Sequence, residues 1–490
     1  MTSNVSIKLA KCALFCWLSL MVGQTRPLCA GDSPSVGPLF DRSSLTLDPG
    51  ERTEAAGPFF YHQQKDSEQL LAVPPFFSHM RDTSVDAEEF DFLYPVLTYD
   101  RYGAEFRWQL FQLLSFAGGQ DQREVSAQRF TLFPLYFQQR SPDPEKNYTA
   151  IFPFYGHLKN RLFRDEIRFV LFPFYGESRK RDVVTDNYLY PVVHLRRGEA
   201  LHGWQCWPLA GHEHKDVTTR TNGFGDTEII GGHDKLFALW PVFSDETAGI
   251  GTDNPQKQLM VLPACSVLRS PKRDATTVLW PFFTSIDDRE KKYHEWEGPW
   301  PIVVVARGEG KTTTRVWPLF GRAHNATQES DFYLWPLYKF NRVKAAPLDR
   351  QRTRILYFLY SDVTEKNTDT GGEYHRTDFW PLFTHRRDFN GNTRLQILAP
   401  LEPFLPNNKS AERDYSPLWS VWRSEKNPKT GAASQSLLWN LYRRDTTPTA
   451  RKCSLFFGLF QYQSDAESQR LRICYVPFGK TRKPAGCDAK

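Results

Sequence analysis

Hydrophobic and polar residues alternate along short stretches of the chain, and one such stretch recurs many times. Its core is an apolar residue, an aromatic residue, a proline, a second apolar residue and a second aromatic residue. Clear copies lie at Leu132–Tyr136, Ile151–Tyr155, Leu171–Tyr175, Leu239–Phe243, Leu279–Phe283, Val316–Phe320, Leu334–Tyr338 and Phe379–Phe383. Recurrence of one short pattern is typical of a repeat protein in which each copy packs on its neighbours.

The copies follow one another at a nearly constant distance. From Pro134 onward the motif prolines fall about every 19 residues, with one longer step between Pro208 and Pro241. At that spacing about twenty units fit between Pro58 and Phe478. The repeat therefore covers most of the chain and leaves no convincing boundary between domains.

Each unit has the alternation of a β-strand. In residues 331–343, Phe332, Leu334, Tyr338 and Phe340 would point to one side of a strand because its side chains alternate between two faces. Turn-forming residues, such as those at 390–392, separate the units. The pattern predicts an all-β fold, a repetitive antiparallel meander of about twenty strand units.

The proline constrains that prediction, because it lies at the centre of each apparent strand. Proline cannot donate a hydrogen bond to a sheet, so it belongs at edges, bulges or bends. One proline at a fixed place in every unit predicts a row of bends that crosses the sheet.

Three arrangements of these units compete. A large up-and-down barrel needs about 20 residues for each strand with its turn, which fits the repeat, and we expect this arrangement. A soluble propeller-like meander is the first alternative, and there each unit would supply a hairpin. A parallel β-solenoid with the proline at a corner is the second, although the Asn390–Gly391 turn favours antiparallel hairpins.

The N-terminus has the pattern of a secretory signal. Lys8 and Lys11 precede a short apolar stretch, and small residues follow up to Ala30. The apolar stretch is about 12 residues, which is too short to cross a bilayer as a helix. The predicted organisation is a signal peptide over 1–30, a leading segment over 31–57, a single β-repeat array over 58–479 and a basic tail over 480–490.

Charge and cysteine content exclude two classes of protein. The chain has 62 Lys and Arg against 56 Asp and Glu, a net charge of +6 over 490 residues, which gives no support for nucleic-acid binding. Beyond residue 30 the chain has too few cysteines for a disulfide scaffold. Cys453 and Cys474 flank one predicted hairpin and either pair across it or remain free thiols.

Histidines concentrate between His194 and His233, where one copy of the motif is missing. On a strand, His212 and His214 would share a face, and nearby Glu213 or Asp234 could add oxygen ligands, as metal sites require. We therefore name His212 and His214 as candidate metal ligands in a polar loop over 211–235. The simpler interpretation is a solvated loop with chance histidines.

The remaining motifs give weaker indications of a binding or catalytic site. Residues 306–312 resemble a phosphate-binding loop, but Val305 stands where that motif requires glycine. The acidic pairs at 86–91 and 287–288 fall where turns are expected, and glycosidase carboxylates need a fixed separation within a cleft. Tryptophan and tyrosine rings could stack on sugars. We predict no catalytic residue and no cofactor.

The repeated aromatic-proline strands resemble, in composition alone, those of bacterial envelope proteins. The sequence therefore predicts a non-enzymatic, exported cell-envelope β-repeat protein, associated with the outer membrane in a structural, pore or transport role. The alternative is a secreted or periplasmic scaffold that binds a polysaccharide or a protein partner. Membrane lipid, polysaccharide and envelope proteins are the expected partners, and nucleic acid is not.

Overall fold

The computed structural model describes residues 35–36, 39–119, 127–221, 223, 225–465 and 469–478. The predicted signal peptide and basic tail lie outside these residues. In the described part, 44 strands form one sheet and two more form a separate hairpin. The predicted all-β repetitive meander is confirmed.

The strands are short and follow one another closely. The first are Ser35–Val36 (β1), Phe40–Ser44 (β2), Glu51–Ala55 (β3), Phe60–Lys65 (β4), Glu68–Val73 (β5), Phe77–Asp82 (β6), Ala87–Phe92 (β7), Leu97–Tyr102 (β8), Glu105–Leu110 (β9), Leu114–Gly118 (β10), Gln128–Leu132 (β11), Tyr136–Arg140 (β12), Tyr148–Ile151 (β13), Tyr155–Arg161 (β14), Arg164–Val170 (β15) and Tyr175–Lys180 (β16). Next come Val183–Tyr188 (β17), Val193–Arg197 (β18), Leu201–Cys206 (β19), Ala210–Lys215 (β20), Thr218–Thr221 (β21), Thr227–Ile230 (β22), Gly232–Ala238 (β23), Phe243–Ile250 (β24), Gln256–Val261 (β25), Cys265–Arg269 (β26), Arg273–Val278 (β27), Phe283–Asp288 (β28), Tyr293–Glu297 (β29) and Val303–Gly308 (β30).

The later part of the chain continues in the same way and adds two short helices. Its strands are Thr312–Val316 (β31), Phe320–His324 (β32), Gln328–Tyr333 (β33), Tyr338–Ala345 (β34), Leu348–Ile355 (β35), Tyr360–Asn367 (β36), Glu373–Phe379 (β37), Phe383–Arg387 (β38), Thr393–Ile397 (β39), Trp422–Asn427 (β40), Ala432–Leu437 (β41), Tyr442–Thr446 (β42), Ala450–Leu455 (β43), Phe460–Asp465 (β44), Gln469–Ile473 (β45) and Val476–Phe478 (β46). The α-helices are Lys409–Asp414 (α1) and Ser416–Trp419 (α2), and single 3₁₀ turns lie at Gly57–Phe59 and Pro144–Lys146.

Each strand of the sheet pairs in antiparallel fashion with the next one along the chain. The one departure is between β20 and β23, which pair directly while β21 and β22 form the separate hairpin. All described pairings are antiparallel, so the parallel solenoid is wrong. Among the described strands, β1 pairs only with β2 and β46 only with β45. This part of the sheet is open, and a closed barrel stays a prediction.

The repeat unit is a hairpin, and its proline lies in the turn. Strands β27 and β28 are joined by residues 279–282, which contain Trp280 and Pro281. The predicted row of mid-strand bends is therefore wrong, and one unit supplies two strands. The apparent long strand arose because the turn residues are apolar and continue the alternation. A proline in the turn removes no hydrogen bond from the ladder, so the sheet stays intact on both sides.

Two segments differ from what their composition suggested. The leading segment 31–57 already contributes β2 and β3, which pair into the sheet. The predicted loop over 211–235 is wrong in large part, because β20 and β23 are regular strands within it. Only the hairpin of β21 and β22 departs from the meander.

One face of the sheet, called the inner face below, carries most of the buried side chains, among them Ala72, Ala150, Val304 and Ala306. Glycines on this face lie beneath phenylalanine rings of the neighbouring strand. A Cβ atom on Gly321 would meet the ring of Phe332 at 2.2 Å. Phe169 covers Gly156 and Phe237 covers Gly211 in the same way. Small residues thus make room for rings that cover the sheet.

The helical insertion, residues 398–421, joins distant parts of the chain. It connects β39 to β40 and contains both α-helices. The Tyr61 hydroxyl donates to the Arg413 carbonyl at 2.8 Å, and the Arg413 guanidinium binds Glu89 at 3.0 Å and also Asp91. Curvature of the sheet therefore brings its first strands against an insertion more than 300 residues later.

Candidate functional site

The motif turns share one edge of the sheet. Consecutive turns of an antiparallel meander alternate between its two edges, so every second turn lies on the same side. We call this edge the aromatic rim. Its turns are residues 56–59, 74–76, 93–96, 111–113, 133–135, 152–154, 171–174, 189–192, 207–209, 239–242, 262–264, 279–282, 298–302, 317–319, 334–337, 356–359, 380–382, 438–441 and 456–459.

The two edges differ in charge. None of the rim turns given above contains Asp, Glu, Lys or Arg. The opposite edge, called the polar edge below, carries turns such as 181–182, 289–292 and 388–392, which are rich in charged and amide residues. The sheet is thus amphipathic from edge to edge rather than only from face to face.

Backbone hydrogen bonds hold neighbouring rim turns together. The amide of Phe172 donates to the carbonyl of Pro153 at 2.7 Å, and the amide of Tyr190 donates to Pro173 at the same distance. Trp335 and Pro318 repeat this bond at 2.7 Å. The motif therefore places an aromatic donor and a proline acceptor at matching positions in successive turns.

The rings before the prolines contact one another along the rim in a tilted arrangement. The centroids of Phe152 and Phe172 lie 5.4 Å apart, and those of Phe172 and Tyr190 lie 5.6 Å apart. Trp317 and Trp335 follow at 6.1 Å. Ring pairs at such distances are worth about 0.5–1.5 kcal/mol beyond the area they bury. These ring contacts therefore link neighbouring rim turns, while rings such as that of Trp335 stay partly exposed.

Leucines begin many rim turns in an unfavourable conformation. Leu171, Leu239, Leu279 and Leu334 have φ between 46° and 48°, the left-handed region that favours glycine and asparagine. Their side chains are 54–60% exposed, so packing in a core does not explain the choice of leucine. A strained backbone that presents an exposed apolar side chain points to a surface that contacts something apolar.

The exposed apolar area of the rim is large. Phe154 and Phe174 are 61% and 64% exposed, and Trp240 is 52% exposed. A half-exposed ring shows ~100 Å², and monomeric soluble proteins rarely leave contiguous apolar patches above about 300–600 Å² uncovered. A few adjacent turns exceed that area, so the rim is the feature of this molecule that most needs a partner.

The candidate metal ligands His212 and His214 lie on β20 and share a face. Both rings hydrogen-bond to the same carboxylate, that of Asp234 on β23, at 3.0 and 3.1 Å. His214 also contacts Asp216 at 3.3 Å, and hydrogen bonds to these two carboxylates raise the pKa of His214. The described residues contain no group of three His, Cys, Asp or Glu arranged to hold a metal. Metal binding by His212 and His214 stays a prediction.

The opposite face of the same strand carries a second charged cluster. Glu213 contacts His233 at 2.7 Å and also binds Arg196. Burial acts to raise the pKa of Glu213, but its contacts with His233 and Arg196 outweigh burial and hold that pKa below its usual value. Because each group has a partner, the cluster stabilises the pairing of β20 with its neighbours.

The remaining sequence candidates lie apart from one another. Residues 306–312 form the end of β30 and a turn at the polar edge. Asp91 is buried against Arg413, whereas Asp287 and Asp288 point to opposite faces of β28. Cys453 and Cys474 are both free thiols. The structure thus brings none of these groups together.

Sequence reasoning missed the rim, although the signal was present. The uncharged apolar residues around each proline form a run too uniform for a strand that faces water on one side. Short strands of about six residues then remain on either side of that run. Absence of charge in the centre of every unit was the mark of a turn at an apolar edge.

No model of a known protein family matches the chain, and no curated protein matches its sequence. Within the described residues, none of the helices is both long and apolar enough to cross a bilayer.

Proposed function

We propose that the protein is a non-enzymatic, exported component of the cell envelope that attaches to the outer membrane through its aromatic rim. The rim would enter the interfacial region of the lipid while the polar edge stays in water. Its role is structural in this proposal: an apolar edge, interrupted by the helical insertion, seats a curved sheet on the membrane surface.

The observation that carries this proposal is the difference between the two edges. Tryptophan and tyrosine concentrate at membrane–water interfaces because their rings are amphipathic, and the rim supplies tryptophan at Trp240, Trp280, Trp317 and Trp335. Interfacial proteins combine an apolar surface with a charged opposite side. The sheet has this arrangement at the level of its edges.

The energy available from insertion is sufficient. Removing ~100 Å² of apolar surface from water is worth about 2.5 kcal/mol. Eight rim turns that each insert one ring would therefore gain about 20 kcal/mol, which exceeds the entropic cost of binding of about 4–15 kcal/mol.

Flotation of the purified protein with neutral phosphatidylcholine vesicles tests the proposal. In a Phe154→Asp/Phe174→Asp variant, two exposed rim rings become carboxylates, and we expect vesicle binding to fall at least tenfold. Phe163 offers a matched control, because it is 96% exposed in the turn between β14 and β15 at the polar edge. Phe163→Asp should bind vesicles like the parent.

Two results would contradict the proposed attachment of the rim to the membrane. One is a parent protein that stays in the soluble fraction at all lipid concentrations, and binding to a polysaccharide or to an envelope protein would then favour the scaffold alternative. The other is an equal loss of binding in the rim variant and in Phe163→Asp. Circular dichroism of each variant shows whether the sheet is retained.

A further inference from the structure

A row of cations lies on the inner face directly beneath the rim in the later part of the sheet. In each hairpin, one pair of opposite residues flanks the rim turn. The next pair along the two strands has its side chains on the inner face. From Tyr61 to Val304 these positions hold neither lysine nor arginine. From β31 onward the same positions include six cations: Arg315, Lys339, Arg354, Arg423, Arg443 and Arg472.

Two of these cations face each other without an acid between them. Lys339 on β34 lies directly opposite Arg354 on β35, and Arg352 follows on the same face of β35. Like charges in direct cross-strand positions destabilise a sheet. Arg443 in the same row is neutralised by Asp445 at 2.9 Å. Within the described chain, Lys339, Arg352 and Arg354 form no salt bridge.

The two arginines are also incompletely hydrogen-bonded. The Nε atoms of Arg352 and Arg354 are buried, and no described group accepts a hydrogen bond from either. Burial and the neighbouring charge of Arg354 lower the pKa of Arg352. A buried donor without an acceptor costs free energy, and more so when it is charged. An anion in this place would offset both the repulsion and the missing acceptors.

We propose that Lys339, Arg352 and Arg354 bind the phosphate group of an anionic lipid whose acyl chains lie against the adjoining rim turns. This inference rests on the proposed attachment of the rim to a membrane. Arginine is well suited to phosphate because its guanidinium can donate two parallel hydrogen bonds.

The position of the three cations favours a lipid over a free anion. They lie two to four residues from the rim turns 334–337 and 356–359, a distance of ~7–13 Å along a strand. Leu334 and Tyr357 in those turns are 54% and 59% exposed. When these side chains enter the acyl region, the cations reach the level of the lipid phosphates.

Flotation with two vesicle compositions tests the site. The parent should bind vesicles of phosphatidylcholine mixed with phosphatidylglycerol more tightly than vesicles of phosphatidylcholine alone. Lys339→Gln/Arg354→Gln should lose about 5- to 30-fold of its affinity for the mixed vesicles only. The control Lys344→Gln/Lys366→Gln removes two exposed cations from the polar-edge ends of β34 and β36 and should behave like the parent.

The melting temperature gives a second readout. Because the double variant loses a repulsion and no salt bridge, its melting temperature should equal or exceed that of the parent. If it falls well below that value, the two cations have structural partners and the site is overturned. Single variants at Lys339 and Arg354 then show which side chain is responsible.

The flotation results distinguish an absent phosphate site from an absent rim attachment. If the parent binds both vesicle types equally, the phosphate site is overturned while rim attachment stands. If the parent binds neither, rim attachment itself fails and the site with it. If inorganic phosphate binds with millimolar or better affinity while anionic lipid adds nothing, the site takes a free anion and the lipid assignment is wrong.

Discussion

At the scale of the residue, the rim turns contain leucines whose backbone conformation is unfavourable and whose side chains are exposed. Asparagine or glycine would satisfy the left-handed position that begins many of the rim turns, and leucine occupies it instead in turns such as those at Leu171, Leu279 and Leu334. The cost of this conformation for a residue with a Cβ atom is of the order of 1 kcal/mol. Repetition of the same unfavourable choice at several turns implies that the exposed leucine contributes something other than stability.

Leu279→Asn separates the two effects. Asparagine tolerates the left-handed conformation, so the free energy of unfolding should stay unchanged or rise by up to ~1 kcal/mol. Vesicle binding should weaken, because the side chain of Leu279, 56% exposed, would no longer reach the lipid. Urea denaturation and flotation measure the two quantities. A loss of stability with unchanged vesicle binding would show that Leu279 serves packing instead.

At the scale of the element, the helical insertion contacts the early strands of the meander through buried charge. Arg413 has acidic partners in Glu89 and Asp91, whereas Asp414 is only 1% exposed, beside Ser78. Burial raises the pKa of Asp414 to about 6. A buried carboxylate with a raised pKa makes this contact between distant segments sensitive to pH.

The sign of that pH dependence follows from the raised pKa. Between about pH 4 and pH 6 the unfolded chain loses the Asp414 proton while the folded chain keeps it, so the free energy of unfolding falls with rising pH. Asp414→Asn should remove this loss and stabilise the protein by roughly 2–3 kcal/mol at pH 7, with little effect at pH 4. Urea titrations at several pH values measure it. Asp369→Asn, at an exposed turn, is the control, and parallel pH profiles for the parent and Asp414→Asn would contradict the assignment.

At the scale of the whole molecule, the local sequence pattern predicted the repeat and its strands, but not the contacts between distant strands. The period of the motif predicted an all-β repeat, and alternation predicted that His212 and His214 share a face, as their common partner Asp234 shows. The hairpin within each unit was not predicted, because the apolar turns continue the alternation of the strands. Contacts such as that between Tyr61 and Arg413 depend on curvature summed over many strands, which no local pattern encodes.

The cluster of cations beneath the rim could not be predicted without knowing the register of the sheet. Lys339 and Arg354 are 15 residues apart in the sequence, and only the pairing of β34 with β35 places them opposite each other. Likewise, the common edge of the motif turns follows from the strict alternation of the meander. The sequence contained the residues of the rim, whereas the topology brought them to one side.

Depth-resolved quenching of tryptophan fluorescence tests rim insertion most directly. Trp207, Trp240, Trp280, Trp317 and Trp335 all lie in rim turns and should enter the lipid together. On vesicles whose acyl chains carry bromine near the glycerol backbone, we predict a blue shift and quenching of the emission that these rim tryptophans contribute, relative to unbrominated vesicles. Equal emission from both kinds of vesicle, with the protein shown by flotation to be bound, would contradict insertion of the rim.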